Sequence, residues 1–153
     1  MNALAQPKEY KVVALRECPT PMELQSCDCP SKAAEYWNRN VITASYFNPD
    51  CECFVVVMLN TKNRVKGHYL VSFGTVNASL VHAREVFRAA IIAGSTSVLL
   101  MHNHPSGDPT PSSEDVRITK QLVQAGKILG IEVMDHVIVG YDKHVSLKEL
   151  GLL

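Results

Sequence analysis

The segment that most restricts the fold of this chain is HNHPSGDPTPSSED, residues 102 to 115. It ends a short apolar run with the composition of a buried β-strand. Side chains two residues apart leave the same face of a strand, so His102 and His104 are expected to point to one side. A helix capped by Ser112 returns Asp115 toward the histidines in its first turn. The fold must therefore join the end of a strand to the start of a helix.

These three side chains are suited to zinc. Zinc accepts imidazole nitrogen and carboxylate oxygen at about 2.0–2.2 Å, and three protein ligands plus an open position are typical of a catalytic site. The spacing predicts a zinc ion held by His102, His104 and Asp115, with water in the fourth position, as in a metal-dependent hydrolase. The alternative is that Ser112 and Asp115 form only a helix capping box.

A zinc hydrolase also needs a carboxylate that takes a proton from water without binding the metal. Glu52 is the candidate, because it lies in an apolar strand, with Cys51 and Cys53 facing the opposite side, where an unused charge is costly. The alternative for Glu52 is a strand-start residue that reaches solvent. Glu85 and Glu114 compete for the role, but each is explained by its place in the first turn of a helix.

Two further assignments concern the same segment. The Ser112 hydroxyl is a candidate donor to the oxyanion that forms when water attacks a carbonyl, a role that competes with helix capping. Asp108 is a weaker ligand candidate than Asp115, because Asp is expected in a turn-rich loop on conformational grounds. The remaining histidines lack ligand spacing and are assigned structural or supporting roles: His68, His82, His136 and His144.

Strand and helix patterns alternate along the chain. Strands are predicted at residues 9–17, 51–60, 65–73, 97–102 and 131–140, with a hairpin joining the second and third and a short strand or turn at 144–147. Helices are predicted from a Ser31 cap to about Val41, from Ser79 or His82 to Ala93, and from Ser112 or Ser113 to Leu129, with a final turn capped by Ser146. This order predicts an α/β domain whose mixed sheet is flanked by helices.

Composition narrows the class of partner and the compartment. The 153 residues carry 15 basic and 15 acidic side chains with no basic block, which argues against tight binding to a nucleic-acid backbone. No apolar run is long enough to span a bilayer, and the first residues lack the pattern of a secretory signal. The expected compartment is the cytoplasm, where the five cysteines are free thiols. A four-thiolate site from Cys27, Cys29, Cys51 and Cys53 is disfavoured by the tight C-x-C spacing.

The pattern H-x-H-P-x₆-S-x₂-D, formed by His102, His104, Pro105, Ser112 and Asp115, resembles the JAMM motif of JAB/MPN-domain metalloproteins. With REVFRAA and DHVIVG, the stretch from about residue 40 to 145 is similar to the bacterial RadC-like branch of that superfamily.

The resemblance implies a three-layer α-β-α domain similar to the cytidine-deaminase fold, with one zinc on the two His and the Asp. It carries over Glu52 as the residue that activates water and Ser112 as the oxyanion-stabilising serine. It divides the chain into an extension, residues 1–40, and a JAB/MPN domain, residues 41–153, expected to form one compact unit. Deaminase chemistry is excluded, because it requires a C-x-x-C pair that this chain lacks.

The leading functional hypothesis is a zinc metallopeptidase that cleaves a peptide or isopeptide bond, since better-understood relatives of this branch cleave isopeptide bonds. The rival is a zinc-containing interaction module without activity, associated with DNA repair or replication. The helical N-terminal region usual in RadC-like proteins is not matched by the first 40 residues, which argues further against DNA binding. A metal-dependent nuclease is a third option, disfavoured by the neutral charge and the single-metal spacing.

Overall fold

The computed structural model describes residues 11, 13–22, 25–74 and 81–153. Helices and strands are interspersed along the chain, as the sequence predicts for an α/β protein. In chain order they are α1 (Pro30–Tyr36), a π-helical turn (Trp37–Val41), β1 (Cys53–Leu59), β2 (Val65–Phe73), α2 (Ala83–Ile92), β3 (Ser97–Asn103), α3 (Ser113–Leu129), β4 (Glu132–Val139) and β5 (His144–Ser146).

The strands form a mixed sheet in the order β2-β1-β3-β4-β5. β1 runs antiparallel to β2 and to β3, and the predicted hairpin between β1 and β2 is confirmed. β3 and β4 are parallel, because α3 crosses over the sheet between them. β5 then returns antiparallel to β4. The two strands that precede and follow the helix α3 thus lie side by side at the centre of the sheet.

The helices cover both faces of this sheet. β1 and β3 are buried along their whole length, so alternate side chains enter two separate cores. One core packs against α1 and the π-helical turn and contains Trp37, Val41, Val55, Val57, Leu99 and Met101. The other packs against α2 and α3 and contains Val56, Val86, Phe87, Leu100, Ile118 and Leu122. The three-layer α-β-α architecture predicted from the sequence is confirmed.

The strand predicted at residues 9–17 is wrong for the residues that the structure describes. Residues 9, 10 and 12 lie outside the description, and residues 11 and 13–17 form no regular element. The segment has strand-forming side chains, but its described residues pair with no strand, and Leu15 is 98% exposed. The chain then lies against the π-helical turn, where Arg16 Nη2 donates to the Asn40 carbonyl at 3.0 Å.

The first helix begins two residues earlier than predicted. Ser31 is not its cap: Cys29 occupies the N-cap position without a side-chain hydrogen bond, and Pro30 is the first helical residue. Proline suits this position because its fixed φ is already helical and its missing N–H has no partner there. The predicted buried stripe is confirmed, since Ala33, Ala34, Trp37 and Val41 are all buried.

The other helix boundaries follow the predicted signals. His82 is the N-cap of α2, and Ser79, the alternative start, lies outside the described residues. Ser112 caps α3, which ends at Gly130 in the left-handed conformation with φ 68°. The final turn is capped as predicted, with the Glu149 N–H donating to Ser146 Oγ at 3.0 Å. None of the helices in the described part of the chain is long and apolar enough to cross a bilayer.

His68, a residue of β2, lies between the hydroxyl groups of two tyrosines from earlier in the chain. Its Nδ1 is 2.9 Å from the Tyr36 hydroxyl and its Nε2 is 3.2 Å from the Tyr46 hydroxyl. Burial, with a smaller contribution from the positive charge of Arg16, lowers the pKa of His68 to about 4 from an ordinary 6.5. The unfolded chain therefore binds more protons than the folded protein between these two pH values.

We expect the free energy of unfolding to fall as the pH is lowered from 6.5 to 4, because protonation of His68 favours the unfolded chain over this range. The substitution His68→Gln removes this proton uptake and is expected to flatten that part of the profile. Urea unfolding at several pH values measures the slope, and His82→Gln, which changes an exposed histidine, is the control. An unchanged slope in His68→Gln would contradict this assignment.

Candidate metal centre

Two elements bring the predicted ligands together. His102 is the penultimate residue of β3, His104 follows the end of the strand on the same face, and Asp115 lies in the first turn of α3. His102 Nε2 is 3.0 Å from His104 Nε2 and 3.2 Å from Asp115 Oδ1, and His104 Nε2 is 3.4 Å from Asp115 Oδ2. Within the described ranges, this is the only group of three or more His, Cys, Asp or Glu side chains spaced to hold a metal ion.

These separations fit a tetrahedral metal site. Two atoms bound about 2.1 Å from one ion at the tetrahedral angle lie about 3.4 Å apart. The donor set of two imidazoles and one carboxylate is also one that zinc accepts. The His102 and Asp115 side chains are 4% and 7% exposed, whereas that of His104 is 14% exposed, so the centre opens toward solvent on the His104 side.

A hydrogen-bond chain behind His102 assigns its tautomer. The Thr119 hydroxyl donates to the Asp115 carbonyl at 2.6 Å and therefore accepts from His136 Nδ1–H at 2.5 Å. His136 Nε2 then accepts from His102 Nδ1–H at 2.8 Å, which leaves the Nε2 lone pair of His102 facing the centre. Burial lowers the pKa of His136 well below its usual range, so the ring in the middle of this chain is neutral.

A backbone carbonyl has the same role for His104. Its Nδ1–H donates to the Asp108 carbonyl at 2.8 Å, so its Nε2 lone pair also faces the centre. The loop that carries this carbonyl packs against the turn after β4: a Cβ on Gly140 would lie 2.2 Å from the Gly107 oxygen. Tyr141 packs on Gly107, and its hydroxyl donates to the Pro105 carbonyl at 2.9 Å. This contact fixes the loop and hence the orientation of His104.

Asp115 is held by the start of its own helix. Its Oδ2 accepts from the Ser112 N–H at 2.7 Å and from the Ser112 hydroxyl at 2.6 Å, while its own N–H donates to Ser112 Oγ at 3.1 Å. Burial opposes ionisation of Asp115, but the nearby His102 and His104 rings and the hydrogen bond from Ser112 outweigh it and hold the pKa of this carboxyl far below its usual range. The carboxylate is therefore charged and oriented toward the histidines.

The capping box that the sequence analysis gave as an alternative is present together with the metal-ligand geometry. Ser112 uses its hydroxyl hydrogen on Asp115, and the same carboxylate presents Oδ1 to His102. The two explanations for this spacing are thus compatible for Asp115. For Ser112, the predicted contact with an oxyanion requires its hydroxyl to rotate away from Asp115.

Glu52 immediately precedes β1, on the side of the sheet where this strand ends beside His102. β1 pairs with β3 so that Phe54 is opposite His102, and strand alternation puts Glu52 on the same face as Phe54. The Phe54 ring stacks on the His102 ring at a centroid distance of 5.7 Å. The hydrogen bond with Asp115 is the main cause that raises the pKa of His104, and the nearby charge of Glu52 adds to it. Glu52 therefore lies near the centre, on the face that carries the ligands.

The other acidic residues considered for the site, as proton acceptor or as metal ligand, bind different partners. Glu85 forms ion pairs with Arg84 and Arg88, and Glu114 pairs with Arg117 on the exposed side of α3. The Asp108 carboxylate accepts from Thr110, although the Asp108 backbone carbonyl is the group that holds His104.

The residues that support the ligands were not predicted from the sequence. Thr119 was not singled out, and His136 received only a general structural or supporting role. One signal for His136 was present, since a histidine in the middle of a buried strand needs polar partners. Identifying His102 as that partner requires the register of β3 against β4, in which Leu100 is opposite His136.

The thiols form no second metal group in the described part of the chain. All five cysteines are free, and Cys27 and Cys53 are buried in the core next to α1. Burial is the main cause that raises the pKa of each of these two thiols to about 12, which keeps them protonated.

Comparison with known proteins gives consistent results. A family model described as RadC-like JAB domain matches residues 27–152, which contain the whole centre. The chain is 59% identical over 100 residues to a UPF0758 protein of Caldanaerobacter subterraneus subsp. tengcongensis, covering 65% of this chain and 43% of that protein. It is 57% identical over 104 residues to a UPF0758 protein of Desulfitobacterium hafniense, covering 68% of this chain and 46% of that protein. It is 49% identical over 123 residues to a UPF0758 protein of Geobacillus thermodenitrificans, covering 80% of this chain and 52% of that protein. The chain spans about half the length of the curated relatives it matches.

We expect Thr119→Val to lower the affinity for zinc about 10- to 100-fold, because His136 loses its acceptor and no longer fixes the His102 tautomer. Competition with a chromophoric chelator measures this affinity. Thr43→Val is the matched control, since it removes a hydroxyl bond of the same type, from Thr43 to the Arg39 carbonyl, on an exposed helix end. Equal zinc affinities for the Thr119 variant and the unmodified protein would contradict the role of the Thr119–His136–His102 hydrogen bonds in orienting His102.

We expect Gly140→Ala to displace the Gly107 carbonyl and, with it, the Asp108 carbonyl that holds His104. Forcing a methyl into this contact costs about 1–3 kcal/mol of folding free energy. The stabilisation gained on adding zinc is also expected to be smaller than in the unmodified protein. Urea unfolding with and without zinc measures both quantities, and an identical zinc-dependent gain would count against this positioning of His104.

Proposed function

Because the chain belongs to the RadC-like JAB domain family, we propose that it is a zinc-dependent hydrolase that cleaves an amide bond in a peptide or an isopeptide-linked protein. The observation that carries the proposal is the three-ligand centre. Two imidazoles and an ionised carboxylate face one point, and the more exposed His104 side leaves room for a fourth ligand. Structural zinc sites use four protein ligands, so a three-ligand centre favours catalysis.

The residues that would hold the ion are His102, His104 and Asp115. When bound, zinc supplies a Lewis acid for the substrate carbonyl and makes a coordinated water more acidic. The protein supplies the orientation of the donors: the His136 ring behind His102, the Asp108 carbonyl behind His104, and the capping box around Asp115. These contacts reduce the reorganisation required during the reaction.

Glu52 is the proposed proton acceptor. It shares a face with the ligands, and its charge contributes to the pKa of His104, yet it is not one of the three converging donors. A carboxylate in this position takes a proton from the attacking water and returns it to the leaving amine. Gly74 N–H donates to the Glu52 carbonyl at 3.0 Å, which ties the backbone of Glu52 to the end of β2.

Ser112 is the proposed donor to the oxyanion. It lies at the N-terminus of α3, where backbone N–H groups and the helix dipole favour negative charge. Its hydroxyl donates to Asp115 in the absence of substrate. The proposed role therefore includes rotation of one hydroxyl hydrogen toward the substrate, while the Ser112 backbone N–H keeps Asp115 in place.

The substrate class is protein rather than nucleic acid. Fifteen basic side chains are balanced by fifteen acidic ones, so the chain offers little charge for neutralising phosphates. Between a peptide and an isopeptide bond the centre makes no distinction, since the chemistry at the carbonyl is the same.

A non-catalytic interaction module that serves DNA repair or replication is the second candidate. One observation favours it. The Ser112 hydroxyl donates to the Asp115 carboxylate and accepts from the Asp115 N–H, as in a purely structural capping box. In that case a partner protein would be captured equally by the unmodified chain and by Asp115→Ala, with no turnover by either.

We expect Glu52→Gln to retain about one zinc per chain and to lose hydrolysis of a peptide and isopeptide library, because the amide cannot accept a proton. Glu132→Gln is the matched control, since Glu132 is exposed at the opposite end of the sheet. Zinc content is measured by atomic spectroscopy and cleavage by mass spectrometry. Turnover by Glu52→Gln at the unmodified rate would exclude Glu52 as the proton acceptor.

A further inference from the structure

The pairing of β1 with β3 ends just before the candidate proton acceptor. The last pair of this ladder is Phe54 with His102, so Glu52 lies beyond the paired part of the two strands. A backbone segment at the end of a ladder needs other partners for its N–H and carbonyl groups. Without them, the position of the Glu52 carboxylate would depend on a frayed strand end.

The Asn103 side chain supplies these partners. Asn103 Oδ1 accepts from the Cys53 N–H at 2.9 Å, and Asn103 Nδ2 donates to the Cys51 carbonyl at 3.0 Å. A side-chain amide offers one acceptor and a donor in the same plane, as a peptide group does. Asn103 therefore continues the sheet past its last backbone pair with a side chain in place of a strand.

The two bonded groups bracket Glu52. One belongs to the residue before it and the other to the residue after it, and the Glu52 carbonyl itself is held by Gly74 N–H from the β2 side. Cys53 is also paired with Phe73 of β2. The backbone of Glu52 is thus fixed from both neighbouring strands, and strand alternation puts its side chain on the face that carries His102.

The Asn103 side chain lies on the opposite face of β3 from the metal ligands, although Asn103 is between His102 and His104 in the sequence. Strand alternation puts His102 and His104 on one face of β3 and Asn103 on the other, and Asn103 is 7% exposed. Its two hydrogen bonds both lead to the segment around Glu52 rather than to a ligand. An effect of these two hydrogen bonds on the chemistry is therefore carried by the segment around Glu52.

We propose that Asn103 is a positioning residue that sets the place of the Glu52 carboxylate relative to the metal centre. The inference rests on the proposed function in one respect, the role of Glu52 as proton acceptor. Asparagine fits this position because the two hydrogen bonds require a donor and an acceptor on one side chain. A carboxylate at the same place has no hydrogen to donate to the Cys51 carbonyl, and an aliphatic side chain has neither a donor nor an acceptor.

A double-mutant cycle of Asn103→Ala and Glu52→Gln tests the proposal. We expect Asn103→Ala to lower kcat about 10²-fold, the usual cost of a reacting group displaced by about 1 Å, with KM and zinc content unchanged. In the Glu52→Gln background, where only a residual rate is left to measure, the same substitution is expected to cause no further loss, because the group it positions is already absent. Equal losses in both backgrounds would overturn the proposal.

Asn40→Ala is the matched control for removal of a buried asparagine. Asn40 is 4% exposed and donates to Thr20 Oγ1. It lies in the π-helical turn, on the face of the sheet opposite to α3 and the metal centre. It is expected to leave kcat unchanged. If Asn103→Ala does not fold, Asn103→Leu keeps the side-chain volume without either hydrogen bond, and the cycle is repeated with it.

A second readout does not depend on turnover. The visible absorption spectrum of the cobalt(II)-loaded protein reports on the groups around the ion, so Glu52→Gln is expected to shift its bands. Asn103→Ala is expected to shift the cobalt absorption bands when Glu52 is present and to leave them unchanged in the Glu52→Gln background. Shifts that add would overturn the proposal. A coupled spectral change without any hydrolysis would support the positioning role and reject the proposed enzymatic function, so the two failures are distinguishable.

Discussion

The constraint on which the centre depends is the buried hydrogen-bond chain from the Asp115 carbonyl through Thr119 and His136 to His102. Buried polar groups are costly unless each has a partner, and here every member has one. The chain joins α3, β4 and β3, so it can form only when the crossover helix has packed on the parallel pair. The geometry of the ligands is in this way a product of the core and not of the loop alone.

The sequence predicts most of the sheet and the convergence of the ligands, because these depend on local patterns. The buried strands are continuous apolar runs, and the spacing from His102 to Asp115 fits a strand end followed by a helix start. The contributions of Thr119, His136 and Asn103 depend on which strands are neighbours and in which register, and a single sequence does not contain that information.

The errors at the N-terminal side have a related cause. Residues 13–17 carry the side chains of a strand, but strand formation requires a partner edge, and this segment has none in the described part of the chain. At the first helix, Ser31 has the side chain of a cap, yet the proline before it already has the helical φ and starts the helix. Propensity describes what a segment can form, and tertiary contacts decide whether it does.

Asp115 has two tasks, because one carboxylate both closes the first turn of α3 and faces the metal position. An ion that binds the native centre but not the denatured chain adds to folding stability by mass action. The abundance of this protein in a cell would then follow the supply of the ion, since copies that lack it open more often at this helix and are degraded sooner.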